Sequence, residues 1–256
     1  MRKKSVLDCI VMENIRLSND VFKMTVMAQE ICLNAQPGQF VQVKTGRIDS
    51  PLLRRPISIA DVQDDKLTII YRTVGEGTRW LAQCKTNDIV NIMGPLGRGF
   101  DLTTEKPLLT GGGIGIAPMI YLARILQPKS PSLLLAARCK EDVIFWHELF
   151  SNHCKNIHIT TDDGSIGTKG NIMALLPKLC EQEKFDHLYT CGPTPMLRAI
   201  ADFAKKQNFP CQLSLESRMA CGTGTCLACS CNATSGNRVK ICQNGPVFNV
   251  GEVEGL

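Results

Sequence analysis

Five of the chain's thirteen cysteines fall between residues 221 and 242, and their spacing constrains the chemistry more than any other feature. Cys221, Cys226 and Cys229 follow a C-x4-C-x2-C pattern, and Cys242 lies further along. Four thiolates at such a spacing hold a [2Fe–2S] cluster. Two irons need four thiolates, and one tight loop supplies three of them. Gly222 and Gly224 let that loop fold closely, so that backbone N–H groups can point at the sulfurs and offset negative charge. Structural zinc is the rival. Zinc sites usually combine two short pairs, such as two C-x2-C units or C-x2-C with H-x3-H. Here one such pair exists, no histidine follows His187, and the glycines favour a loop around a cluster. The spacing therefore predicts iron–sulfur over zinc. Cys231 is the spare, expected to face away.

A second pattern concerns phosphate. Gly111-Gly112-Gly113-Ile114-Gly115 follows a short apolar strand and opens a helix headed by Pro118. In that context glycines let a backbone approach a pyrophosphate at a helix N-terminus. The match to the dinucleotide fingerprint is partial, because Ala117 and Pro118 occupy its last positions, and a plain tight strand–helix turn would read the same way. No acidic residue ends the next strand. Arg138 stands there instead, which leaves NAD and NADP both open. Cys191-Gly192-Pro193 follows another strand. Ligands of open parallel sheets bind beyond the carboxyl ends of the strands, so this turn can share a pocket with Gly111–Gly115. Its bland alternative is a loop with a buried thiol.

The elements that must position these residues change character along the chain. Residues 21–26 and 40–44 alternate apolar and polar as half-buried strands do, and 67–72 are rich in β-branched and aromatic residues. Pro37-Gly38, Gly75-Glu76-Gly77 and Gly94-Pro95 are expected as turns between strands. This region, residues 1–101, reads as a small antiparallel β barrel. From 102 to 210 strands and helices alternate: strands over 107–110, 132–137, 157–161 and 187–190, helices over 118–126, 141–150, 172–180 and 195–207. Such alternation implies βαβ units and a parallel α/β sheet. Residues 211–256 are glycine- and cysteine-rich with little periodicity and form the expected cluster-binding appendage.

Bulk composition excludes several classes. With 256 residues, 44% hydrophobic and 21% charged, the chain has enough apolar side chains for real cores and no sign of global disorder. Its formal charge of +5 is spread along the length, with tight basic runs only at Arg2-Lys3-Lys4, Arg54-Arg55 and Lys205-Lys206. Nucleic-acid binders more often gather such residues on one element with aromatics interleaved, and only 5% of residues here are aromatic. The longest apolar-leaning uncharged stretch, 111–123, is too short to cross a membrane. Asp8 and Glu13 interrupt any signal-peptide core, so a cytoplasmic protein is expected. In a reducing compartment the eight isolated cysteines are expected as small buried hydrophobes rather than disulfides.

Arg55-Pro56-Ile57-Ser58, Gly111–Pro118 and Cys191-Gly192-Pro193 occur in the order found in the ferredoxin–NADP reductase superfamily, which the chain resembles. That family's first motif usually reads Arg-x-Tyr-Ser. Ile57 replaces the tyrosine here, keeping the Arg and Ser. Residues 216–229, with 54–58 and Thr161-Asp162-Asp163-Gly164-Ser165, are most similar to the electron-transfer subunits of NAD-linked dihydroorotate dehydrogenases. The resemblance implies that Arg55 neutralises the diphosphate of FAD and that Ser58 sits near the flavin ring. Pro56, Ile57, Ile70, Tyr71, Arg72, Gly77 and Thr78 would complete the FAD site. Gly111, Gly112, Gly113, Gly115, Cys191, Gly192 and Pro193 would meet NAD(H). A nicotinamide gives two electrons as hydride and a [2Fe–2S] cluster takes one, so a flavin must stand between them. No pattern for a second active site is present. The electrons must then leave for a partner, by resemblance an FMN-containing catalytic subunit that interconverts dihydroorotate and orotate, two copies of each subunit per assembly. The alternative is a related subunit serving a hydrogenase, a sulfide dehydrogenase or a ferredoxin–NADP reductase.

Overall fold

A computed structural model describes residues 4–46 and 52–256. Arg2 and Lys3 of the N-terminal basic run lie outside the described residues. The alternating N-terminal segments close into an antiparallel six-stranded barrel, ordered β1-β2-β5-β4-β3-β6. Its strands are β1 (Ser5–Arg16), β2 (Val21–Met27), β3 (Phe40–Val43), β4 (Arg55–Gln63), β5 (Lys66–Arg72) and β6 (Ile89–Leu96). Val11, Met24, Val41, Val43, Ile59, Ile69 and Ile92 are buried in the barrel core, the inward half of each period-two pattern. A short turn of helix, α1 (Gln29–Cys32), plugs one end with Ile31.

Two expected turns are corrected. Gly75 precedes a helix, α2 (Glu76–Gln83), because the Thr78 hydroxyl accepts from the N–H groups of Val74 (2.9 Å) and Gly75 (3.2 Å) and so caps its first turn. Gly94-Pro95 lies inside β6, at the irregularity of its ladder with β3, where a missing N–H is tolerated.

The second region is a seven-stranded sheet ordered β10-β9-β8-β7-β11-β12-β15. Strands β7 (Pro107–Gly112), β8 (Ser132–Ala137), β9 (Asn156–Thr161), β10 (Thr168–Lys169), β11 (His187–Cys191) and β12 (Cys211–Ser214) run parallel. Leu133, Leu134 and Leu135 are fully buried in sequence, as expected of a strand covered on both faces. The crossover helices are α3 (Ala117–Leu126), α4 (Ile144–Phe150), α5 (Leu176–Gln182) and α6 (Thr194–Lys206). Helices expected from 141 and 172 begin instead as 3₁₀ turns, Lys140–Asp142 and Ile172–Ala174.

The C-terminal segment holds more structure than its composition implied. A hairpin of β13 (Ser230–Asn232) and β14 (Arg238–Lys240), the turn α7 (Ile241–Asn244) and β15 (Val247–Asn249) follow β12. β15 pairs antiparallel with β12, tying the cysteine loop to the sheet edge. Phe40 and Leu96 of the barrel bury with Cys229, Ile241, Cys242 and Phe248 in one apolar cluster. α3 forms the other joint. Ala117, Ile120 and Met119 pack with Ala60, Ile70 and Val21 of the barrel and with Leu109, Leu133 and Leu135 of the sheet.

Candidate functional site

The cysteine loop is shaped by glycines in the left-handed region, Gly222 at φ +71° and Gly224 at φ +87°. Its tightness turns backbone amides onto sulfur. The N–H groups of Thr223 and Cys226 donate to Cys221 Sγ at 3.4 Å each, and that of Cys242 donates to Cys229 Sγ at 3.4 Å. Burial opposes the Cys221 thiolate, but bonds from Thr223 and Cys226 outweigh it and hold the thiol down at about 5. Burial, then the adjacent Cys229, pushes Cys242 up to about 12.

Among the described residues, no three Cys, His, Asp or Glu side chains gather as a single-metal cage. The free thiols come as two hydrogen-bonded pairs, Cys226 with Cys221 and Cys229 with Cys242. A two-iron cluster takes two thiolates per iron, so this donor set fits it better than a lone zinc. Cys226 is exposed, whereas Cys229 and Cys242 are buried. Cys231 lies opposite Val239 in the hairpin and packs into the apolar cluster, outside both pairs.

Next to this loop is a cavity of about 410 Å³. Arg55, Pro56, Ile57, Ser58, Ile70, Tyr71, Arg72 and Thr78 line it, as do Phe40, Ile114, Ala117, Glu216, Ser217 and Met219. Tyr71 is buried in the barrel with its hydroxyl donating to Asn14 Oδ1 (3.0 Å), and burial raises its pKa. Gly77 stands behind the lining. A Cβ there would lie 2.5 Å from Thr45 Oγ1 and 2.9 Å from Arg55 Nε. Thr45 is 2% exposed and its hydroxyl has no partner. An orphaned hydroxyl and a guanidinium therefore converge on the first turn of α2, which fits the diphosphate of a flavin dinucleotide. Glu216 stands exposed at the rim of the cavity, yet the surrounding protein still raises its carboxyl above the usual carboxylate range.

A second cavity, about 380 Å³, opens beyond the carboxyl ends of β7, β8 and β9. Gly112, Gly113 and Pro193 line it, with Ala137, Arg138, Asp142, Asp162 and Asn171. Gly115 sits behind, where a Cβ would lie 2.6 Å from Gly192 Cα. The glycine loop and the Cys-Gly-Pro turn thus meet backbone to backbone. Gly111 packs on Ile116, and the Cys191 thiol is buried and pushed up to about 12, so both support the turn from below. Arg138 Nε is paired with Asp142 Oδ2 at 2.9 Å. Arg72 lines both cavities, and Ile114 and Ala117 of the glycine loop face the first while Gly112 and Gly113 face the second.

Sequence reasoning did not assign Phe40, Thr45, Asp162, Glu216, Ser217 or Met219 to these walls. Glu216 and Met219 carried a signal, since they belong to the motif that opens the cysteine loop. Thr45 and Phe40 carried none, because an apolar ring on a strand and a lone threonine just past its end look like any barrel residue.

A flavin-type barrel joined to a parallel nucleotide sheet is the architecture of ferredoxin reductases. A solved NADH-dependent reduced ferredoxin–NADP oxidoreductase, studied for flavin-based electron bifurcation, superposes with a TM-score of 0.87 at 29% identity, covering 97% of this chain and 90% of its own. A ferredoxin NADP+ reductase from Neisseria gonorrhoeae superposes at 0.64 with 15% identity over 80% of this chain and 91% of its own, a likeness of fold alone. Residues 216–254 match the iron–sulfur cluster binding domain of dihydroorotate dehydrogenase B. The electron transfer subunit of dihydroorotate dehydrogenase B (NAD+) from Fusobacterium nucleatum is 37% identical over 96% of this chain and 98% of its own length. The one from Shouchella clausii is 40% identical over 99% of both. The chain belongs to the family of electron transfer subunits of NAD-dependent dihydroorotate dehydrogenase B.

Proposed function

We propose that this chain passes electrons from NADH through FAD and a [2Fe–2S] cluster to the FMN-containing catalytic subunit of dihydroorotate dehydrogenase, in a cytoplasmic assembly of two copies of each subunit. Three regions divide the work: 1–101 for FAD, 102–210 for NAD(H) and 211–256 for the cluster. The observation that carries the reading is the shared walls. Arg72 and the glycine loop separate the nucleotide cavity from the flavin cavity, while Phe40 and Met219 separate the flavin cavity from the cysteine loop.

Bound FAD would supply a carrier able to accept a hydride and to give up electrons one at a time. The residues position and screen. Arg55, Thr45 and the first turn of α2 hold the diphosphate, and Pro56, Ile57, Ser58, Ile70 and Tyr71 form the wall for the ring system. Gly112, Gly113 and Pro193 bring backbone close to the nucleotide, with Gly111, Gly115, Cys191 and Gly192 packed beneath. Cys221, Cys226, Cys229 and Cys242 ligate the irons, and the exposed Cys226 end faces outward, toward the partner.

Cys226→Ser tests the route. Cys226 belongs to both spacings, so its loss should abolish the cluster signal and NADH-driven orotate reduction with the catalytic subunit added. NADH bleaching of the flavin should survive, because the barrel and sheet have their own cores. A variant without cluster signal that still reduced orotate would defeat the linear route.

A further inference from the structure

Gln42 is the middle of β3, paired with Pro56 of β4 and Met93 of β6, and it is 0% exposed. Its neighbours Val41 and Val43 point into the barrel, so Gln42 points outward with Phe40 onto the C-terminal segment. There its side-chain Nε2 and Oε1 are both buried and have no hydrogen-bond partner. A carboxamide buried in that way costs free energy that methionine or leucine at the same place would not. What it touches is specific. A Cβ on Gly222 would lie 2.8 Å from Gln42 Cγ and 2.9 Å from Nε2, so the amide is pressed against the residue that follows Cys221. Gly222 has φ +71° and carries no side chain, which leaves the approach open. Two residues earlier on the same face, Phe40 lines the flavin cavity. The amide thus sits on the stretch of β3 that spans from flavin to cluster.

We infer that Gln42 is a positioning residue for the cluster, its Nε2–H donating to a sulfur at the Cys221 end. The inference rests on the cluster reading above. A reduced cluster carries one more negative charge than an oxidised one, so a donor at sulfur stabilises the reduced form and raises the reduction potential. Electrons leaving the flavin would then meet an acceptor tuned from the barrel, not only from its own loop. Arg54, which donates to the Gln42 carbonyl (3.3 Å) and to the Asn91 carbonyl (3.2 Å), holds this strand in place.

The test uses the full chain loaded with FAD and cluster, as wild type, Gln42→Met and Gln42→Glu. Methionine keeps the length and removes the donor; glutamate keeps the shape and replaces the donor by an acceptor. Redox titration followed by electron paramagnetic resonance should show, for the methionine variant, a reduced-to-oxidised ratio about tenfold lower at the wild-type midpoint, a shift of about 59 mV for a one-electron couple. Glutamate should lie lower still. FAD content and NADH bleaching of the flavin should match wild type in both. An unchanged midpoint and unchanged spectrum in a methionine variant that holds its cluster would reduce Gln42 to packing. Should methionine fail to fold, seen as loss of FAD together with cluster, the same midpoint comparison on the isosteric glutamate variant decides. A wild-type chain that bound FAD but no cluster would instead reject the reading on which the inference rests.

Discussion

Arg54 and Arg55 are adjacent, carry the same charge and are put to different uses. Arg54 turns its guanidinium onto the carbonyls of Gln42 and Asn91, stitching β3 to β6, and burial lowers its pKa. Arg55, one residue on, faces the larger cavity and reaches the Leu53 carbonyl at 2.6 Å. Arg55 opens β4 while Arg54 stands just before it, and the extended backbone sends the two side chains to different sides. Arg55→Ala should weaken FAD binding about tenfold, the scale of one charge-assisted contact to phosphate, with the fold intact. Flavin occupancy measured at matched thermal stability checks this, and undiminished occupancy would remove Arg55 from the role. The cysteines divide by the same logic of surroundings. Burial pushes Cys154 and Cys191 up to about 12, which leaves them inert, while at Cys221, against its own burial, the Thr223 hydroxyl and then the Cys226 and Thr223 amides hold the thiol down at about 5.

At the scale of elements, the nucleotide cavity is built where three strand ends meet two tight turns. Asp163 Oδ1 accepts from the Ser165 N–H (2.9 Å) and hydroxyl (2.7 Å), and the Ser165 hydroxyl oxygen accepts from the Lys140 N–H (2.8 Å). This clamps the loop after β9 to the loop after β8 and presents Asp162 beside Arg138. Arg138, the cation that left NAD and NADP both open in the sequence, is already engaged by Asp142, and the neighbouring Asp162 carboxylate repels a 2′-phosphate. NADH should therefore reduce the flavin faster than NADPH. Asp142→Asn should narrow that preference by freeing Arg138, by no more than a few-fold because the pair is largely exposed. Stopped-flow reduction with both nucleotides reads the ratio directly. A ratio unmoved by the substitution would mean that Arg138 does not face the ribose.

At the scale of the whole molecule, two cavities share Arg72 as a wall and the larger one adjoins the cysteine loop through Ser217 and Met219. α3 secures the barrel to the sheet through apolar packing and polar ties: Arg124 Nε donates to Asp61 Oδ1 at 2.7 Å, its guanidinium is also bonded to the Val62 carbonyl, and the Tyr121 hydroxyl donates to the Ala35 carbonyl (3.3 Å). Asp61 is mostly buried, so removing its partner leaves a carboxylate poorly solvated. Arg124→Met should cost about 2 kcal/mol, less than a fully buried pair would, seen as a lower denaturation midpoint. It should also slow hydride transfer more than it weakens either cofactor, because it loosens the joint between their two cavities. Equal loss of FAD affinity and transfer rate would mean that the tie supports the barrel alone.

The sequence by itself determined the order of barrel, parallel sheet and cysteine-rich segment, and it proposed the cluster ligands and the residues of both nucleotide turns. These are local properties: thiolate spacing, glycine where backbone must come close, and the period of apolar residues. The strands expected at 107–110, 132–137 and 187–190 were legible because doubly covered parallel strands read as short, mostly apolar runs. Only the tertiary structure decided where the regions touch. Cys211–Ser214 and Val247–Asn249 are short, and only their pairing with the sheet and with each other makes them strands. Gly75-Glu76-Gly77 is a turn by composition, and Thr78 folding back on the Val74 and Gly75 amides makes it a helix start. Gln42 looks like an ordinary strand residue and Thr45 like an ordinary residue just past the strand's end. Their unpaired polar atoms become meaningful only once Gly77 and Gly222, far away along the chain, are brought against them. Spacing along a chain encodes what one loop can bind, whereas the approach of distant segments depends on the whole core being packed.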